Sequence, residues 1–126
     1  MLIALDISVL IFILLRYFEE EFIMKNILLV CSAGMSTSLL VSKMEEAAKV
    51  RGLECTIKAT AEAEVKNNID NIDVLLIGPQ VRFLLSKFKG ILEPKGVPVE
   101  VINMVDYGTM NGEKVLNRAC ELMEIK

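Results

Sequence analysis

Lys25 to Cys31 reads KNILLVC and passes straight into SAGMSTSLLVSKM at residues 32 to 44. An unbroken apolar run of this length is expected of a strand buried on both faces, the situation inside a parallel sheet. A loop rich in hydroxyls follows. Ser36 to Arg51 then carries Leu39, Leu40, Met44, Ala47 and Ala48 near helical spacing, with a Ser or Thr available as N-cap, Lys49 and Arg51 in the last turn, and Gly52 just past the end. Strand, loop and punctuated helix together make the first half of a crossover unit.

The rest of the chain repeats that alternation. Glu54 to Thr60 (ECTIKAT) predicts an edge strand, and Glu62 to Asn67 a short helix before an Asn-rich turn. Val74 to Ile77 (VLLI) is a second fully buried strand, broken sharply by Gly78-Pro79-Gln80. Val81 to Leu92 places Val81, Leu84, Leu85, Phe88, Ile91 and Leu92 at spacings of three and four. Pro98 to Ile102 is a fourth strand, opened by a proline that suits an edge, and Gly112 to Glu124 closes the chain as a helix. Strands joined by helical crossovers predict an α/β fold, a parallel sheet with helices on both faces and right-handed connections. Ligands of such sheets bind outside the carboxyl ends of the strands. The candidate site therefore lies among the loops at 31–38, 60–63, 78–81 and 103–108.

Ahead of this domain, residues 1 to 23 hold 17 apolar residues out of 23. They lack the basic start and small-residue cleavage site of a signal peptide. Their longest uninterrupted apolar run, Val9 to Leu15, is far short of the roughly 18–20 residues that span a bilayer. No membrane span is expected. Met24 begins MKNILLV, which reads as the natural opening of a domain, so residues 1–23 are expected to be an apolar extension or the product of an upstream start, and 24–126 the functional domain. The chain of 126 residues has a formal net charge of -3. The leader contributes four acids and one base, so the domain behind it has 13 of each. Without a basic face, nucleic-acid binding is not expected.

The sequence contains no histidine, which removes every mechanism that relies on an internal imidazole as base, nucleophile or metal ligand. Three cysteines, Cys31, Cys55 and Cys120, form neither a CxxC pair nor a zinc pattern. No metal or cofactor is expected, and the sparse thiols suit a reducing, cytoplasmic setting. Cys55 and Cys120 fall within strand and helix patterns and read as core residues.

Cys31 differs in its place. It stands at a strand's carboxyl end, where Ser32, Ala33, Gly34, Met35, Ser36, Thr37 and Ser38 offer backbone N–H groups, four hydroxyls and a helix N-terminus. That arrangement favours negative charge on or near the sulfur and hence the nucleophilic thiolate. Spacing alone fits equally well a small buried Cys31 with serines that merely cap a helix. Gly34 is not followed by a Gly-Lys-Ser/Thr ending, so this is no nucleotide P-loop. Cysteine phosphatases as a family use a Cys-x5-Arg loop, but the sixth residue after Cys31 is Thr37, and no Arg or Lys lies in the loop. Phosphate would be held without a guanidinium fork, which favours transient carriage over hydrolysis.

From Met24 to Lys126 the chain resembles the enzyme IIB component of the lactose/cellobiose (N,N'-diacetylchitobiose) branch of the bacterial sugar phosphotransferase system. The resemblance is carried by CSAGMSTSLLVSKM at 31–44, LLIGPQV at 75–81, PVEVI at 98–102, and Tyr107-Gly108 with Gly112 beyond. It implies a four-stranded parallel sheet of order 2-1-3-4, similar to low-molecular-weight tyrosine phosphatases. It also implies a mechanism in which Cys31 takes a phosphoryl group from a phosphohistidine of enzyme IIA and passes it to a disaccharide held by the membrane permease IIC. The phosphate loop would be Ser32 to Ser38. Gly78, Pro79, Gln80 and Tyr107 would border it or dock partners, although Pro79 also fits as a strand terminator, Gln80 as a helix cap and Tyr107 as packing. Met35 is expected to project from the loop toward a partner. Asn103 stands where an acid is common in the family.

Two other classes remain open on the residues. One is a thiol-dependent phosphatase or arsenate-reductase-like enzyme, which the missing arginine and the lack of a resolving cysteine near Cys31 disfavour. The other is a non-catalytic regulatory module of the same fold. A monomer is expected for 24–126, and the sugar is not specified by the residues.

Overall fold

β1 (Lys25–Val30), β2 (Cys55–Thr60), β3 (Val74–Ile77) and β4 (Val99–Val101) form one parallel sheet in the order β2-β1-β3-β4. The computed structural model describes residues 6–22, 24–32 and 35–124, with the backbone alone at 16–22 and 35–36. Ile27 pairs with Ile57 on one side and Val74 on the other, and Val30 with Thr60 and Ile77. The register brings the carboxyl ends of three strands level beside Cys31.

The two central strands explain the unbroken apolar runs. Successive side chains of a strand point to opposite faces, so each run must satisfy two cores. Ile27, Leu29, Val74 and Leu76 pack on one face against Leu40, Met44, Val115, Leu116 and Ala119, which come from α2 (Met35–Arg51) and α5 (Gly112–Leu122). Leu28, Val30, Leu75 and Ile77 pack on the other against Val81, Leu84, Phe88 and Leu92. Each such side chain contributes about 1.5–3 kcal/mol when fully buried. Helices thus cover both faces, as the crossover pattern predicts.

α2 and α5 approach so closely that their contact requires a glycine. A Cβ on Gly112 would lie 2.4 Å from the carbonyl carbon of Lys43 and 2.5 Å from the nitrogen of Met44. Both helices start at the carboxyl end of the sheet, so this contact fixes how they leave the site.

Several boundaries differ from the sequence expectation. α2 begins at Met35, one residue early, so the loop after Cys31 is shorter than its composition suggests. The stretch 81–92 is not one helix: a 3-10 turn at Pro79–Leu84, bent at Val81 (φ -121°, ψ 29°), leads into α3 (Leu85–Leu92). Pro79 at the start of that turn fixes φ and supplies no N–H, which begins helical winding two residues sooner. Glu62–Asn67 is likewise a 3-10 helix, β4 spans three residues, and α5 ends at Leu122. Residues 104–108, expected as loop, form α4 (Met104–Gly108), where the Asn103 side chain accepts from the N–H groups of Val105 (2.9 Å) and Asp106 (3.1 Å).

In the leader, α1 (Ile7–Phe22) is helical, with Ile7 and Val9 to Leu15 exposed. Among the described residues, no helix is long and apolar enough to cross a membrane.

Candidate functional site

Cys31 follows the last residue of β1 and is held from both sides by the sheet. Its N–H donates to the Thr60 carbonyl at the end of β2 (3.1 Å), while the Gly78 N–H, at the end of β3, donates to the Val30 carbonyl (2.8 Å). The thiol itself lies 3.9 Å from the Thr60 carbonyl, a weak hydrogen bond. With only 7% of the residue exposed, Cys31 is a fixed group at the rim of the core.

Gly78 sets the opposite wall. A Cβ built on it would stand 3.5 Å from the Cys31 Cβ, 3.4 Å from the Val30 carbonyl oxygen and 3.3 Å from Oε1 of Gln80. The bare backbone therefore lets the β3 turn lie against the cysteine, with the Gln80 side chain folded back over it. Pro79 starts the 3-10 turn that carries Gln80, and Gln80 is exposed.

Of the predicted phosphate loop, Ser32 and Ser38 are exposed and Thr37 is buried. Ala33 and Gly34 lie outside the described residues. Met35 and Ser36 open α2 instead of standing in a loop, and their side chains lie outside the described residues, as does the expected partner contact of Met35. The start of this 17-residue helix, beside Cys31, carries the partial positive charge of its unpaired N–H groups.

Thr37 is 3% exposed, and its hydroxyl shares a 3.4 Å hydrogen bond with the Tyr107 hydroxyl. Tyr107 belongs to the core on the α2 face, only 7% exposed. Its ring lies beneath α2 and presents little surface to solvent. Exposed apolar side chains stand instead in the segments that follow the strands, namely Phe83 (74% exposed) after β3 and Met104 (63%) and Val105 (70%) after β4. Sequence reasoning missed these three. Phe83 falls off the apolar face of the 81–92 pattern, which was a usable signal, whereas Met104 and Val105 stood in an expected loop.

Charge around the site is sparse. Residues 31–38 and 78–81 contain no Arg or Lys. Of the acids in the neighbouring loops, Glu62 is paired with Lys87 at 3.1 Å. Among the described residues, no group of three or more acidic, His or Cys side chains is placed to hold a metal.

The other two thiols sit together on the α2 and α5 face. Cys120 is buried and Cys55 half-buried against the same core. Burial pushes both thiols above their ordinary value; for Cys55 the neighbouring Cys120 and Glu45 add to the rise and Arg51 opposes it. Arg51 also opposes the rise at Cys120, by its charge and by a hydrogen bond.

Residues 26–118 match the family described as PTS system, lactose/cellobiose specific IIB subunit. The chain is 48% identical over 104 residues to the galactose-specific EIIB component of Lactococcus lactis subsp. cremoris (strain MG1363), covering 79% of this chain and 96% of that one. It is 45% identical over 100 residues to the oligo-beta-mannoside-specific EIIB component of Bacillus subtilis (strain 168), covering 79% and 97%. Among solved structures, the cellobiose-specific phosphotransferase IIB component from Borrelia burgdorferi superposes with a TM-score of 0.69 at 48% identity, covering 82% of this chain and 94% of that one. The lactose-specific IIB domain from Streptococcus pneumoniae superposes with a TM-score of 0.72 at 18% identity, covering 79% and 98%, which shows a shared fold.

Proposed function

The chain belongs to the lactose/cellobiose-specific IIB family of the sugar phosphotransferase system, and on that premise we propose that it is a phosphocarrier whose nucleophile is Cys31. The observation that carries this reading is the place of Cys31, at the end of β1 and ahead of the α2 N-terminus, in a chain with no histidine. The Cys31 thiolate attacks the phosphorus of a phosphohistidine on enzyme IIA. An Sγ–P bond forms with the sulfur's electron pair as the P–N bond breaks, and the departing imidazole keeps the P–N bonding pair and takes up a proton. In the second step a sugar hydroxyl attacks the same phosphorus and gives up its proton to water, an O–P bond forms, and the Sγ–P bond breaks with its electron pair returning to the Cys31 thiolate. The imidazole that the chain lacks is supplied by the partner.

The surroundings suit transfer. Backbone N–H groups and the α2 terminus favour the anionic phosphoryl group, while the absence of Arg or Lys in 31–38 leaves it without the bidentate clamp that would hold it tightly. The exposed apolar rim of Phe83, Met104 and Val105 has the composition of a protein-contacting surface, and enzyme IIA and the permease IIC would meet it in turn. The sugar would be a disaccharide of the cellobiose, chitobiose or lactose type, phosphorylated during uptake, with this domain working at the cytoplasmic side of the permease. Residues 24–126 are the part proposed to carry the function, with 1–23 an extension ahead of it.

Incubation with phosphorylated enzyme IIA followed by intact-mass spectrometry tests the assignment. One phosphoryl group is expected on the wild type and none on Cys31→Ser. Labelling that persists in Cys31→Ser contradicts it, and sustained turnover of an aryl phosphate would favour a phosphatase.

A further inference from the structure

We propose that Gln80 is a phosphoryl-binding residue, whose side-chain amide donates a hydrogen bond to the group carried on Cys31; this rests on the phosphocarrier reading above. The Gln80 Oε1 and the Cys31 Cβ both lie within van der Waals reach of one point, the place a Gly78 Cβ would occupy, at 3.3 Å and 3.5 Å. The amide and the cysteine thus both border the space beside Gly78. A phosphoryl group on Sγ extends two bonds past the sulfur, far enough to bring an oxygen to a side-chain amide that borders the same glycine. A half-turn of the terminal amide presents Nε2 where Oε1 stands, so the same position serves as donor to a phosphoryl oxygen.

The sequence around the site gives this donor its importance. Residues 31–38 and 78–81 offer no cation, so beyond the backbone and the loop hydroxyls the amide of Gln80 is the polar side chain of the opposite wall. A neutral donor suits a group that must leave again, because it offers a phosphoryl oxygen a hydrogen bond without the bidentate ion pair of an arginine fork. Gln80 is also exposed and Gly78 buried, so the amide can follow the phosphoryl group while its backbone stays fixed. A docking role would instead place Gln80 against the partner's surface, with its effect on the encounter and none on the transfer.

Single-turnover transfer from phosphorylated enzyme IIA, measured across donor concentrations, separates the two. For Gln80→Met, which keeps length and removes both polar atoms, the saturating rate is expected to fall roughly 10-fold, the loss of one hydrogen bond to a charged group, with the half-saturating donor concentration unchanged. Gln80→Asn, one methylene shorter but still an amide, is expected to recover part of that rate. A higher half-saturating concentration with the wild-type saturating rate, or no change in either, overturns the inference. If wild-type Cys31 takes no phosphoryl group at all, the phosphocarrier reading itself fails, a result distinct from equal transfer by wild type and Gln80→Met.

Discussion

The chain contains the same functional group in two surroundings, and they differ in what stands around the sulfur. Cys31 sits at the carboxyl end of β1, with a helix N-terminus ahead of it and the bare backbone of Gly78 beside it. Cys55 and Cys120 sit at the far end of α2 and α5, in the core, where burial pushes both thiols up. All three are substantially shielded from solvent, so exposure does not separate them. Their neighbours do: a helix start stands just beyond Cys31, whereas Cys55 and Cys120 pack against Leu and Ala side chains, where desolvation disfavours a thiolate. On the proposed reading, the nucleophile is the thiol that stands where the strand ends.

α2 runs from the Cys31 end to the Cys55 and Cys120 end and packs closely on α5, so the largest effect on the comparison is expected from breaking that approach. Gly112→Ala would force a Cβ into the backbone of Lys43 and Met44, and overpacking against backbone with no flexible atom to yield should destabilise the fold by about 3 kcal/mol. Urea unfolding of the two proteins measures it. A change below about 0.5 kcal/mol, the size of an ordinary surface substitution, would mean the helices separate easily and do not hold the site end rigid.

A smaller effect distinguishes the buried thiols. Because Cys55 and Cys120 are raised in the folded state, the folded chain keeps these protons longer than the unfolded one. Their contribution is complete below the ordinary thiol value and is lost as pH rises above about 8.5 and through the folded values. Stability of the wild type should therefore fall more steeply on the alkaline side than that of a Cys55→Ala, Cys120→Ala double variant. Parallel slopes in denaturant melts between pH 7 and pH 10 would show that the pair is not desolvated as described. Phosphoryl transfer by the double variant should stay at the wild-type level at pH 7.

The smallest expected change sharpens the site end alone. Tyr107→Phe keeps the ring in the core and removes the hydroxyl that Thr37 meets at 3.4 Å, at a cost of about 1 kcal/mol. If Tyr107 positions the start of α2, transfer slows at saturating donor; if it docked a partner, only the donor concentration dependence would move.

How much of this was legible in the sequence follows from the range of each signal. The four strands and the loop after Cys31 were readable because runs such as KNILLVC and VLLI are short, apolar and punctuated at both ends, whereas the strand order came only from the family resemblance. The split at 79–92 was not, because Val81, Leu84, Phe88 and Leu92 keep a three-to-four spacing through a 3-10 turn and a helix alike. α4 has five residues, too few for any periodicity, and only its cap Asn103 announces it. Tyr107 and Thr37 are 70 residues apart, so no local pattern could pair them. Gly78 and Gln80 were visible as a strand break, but their closeness to Cys31 depends on β3 pairing beside β1.

The central claim is that Cys31, and neither of the other thiols, carries the phosphoryl group. Wild-type protein phosphorylated by enzyme IIA, digested and mapped by tandem mass spectrometry, tests it most directly. The group is predicted on the peptide that contains Cys31 and on no other; its recovery on a peptide containing Cys55 or Cys120, or on a serine of the loop, would contradict the account.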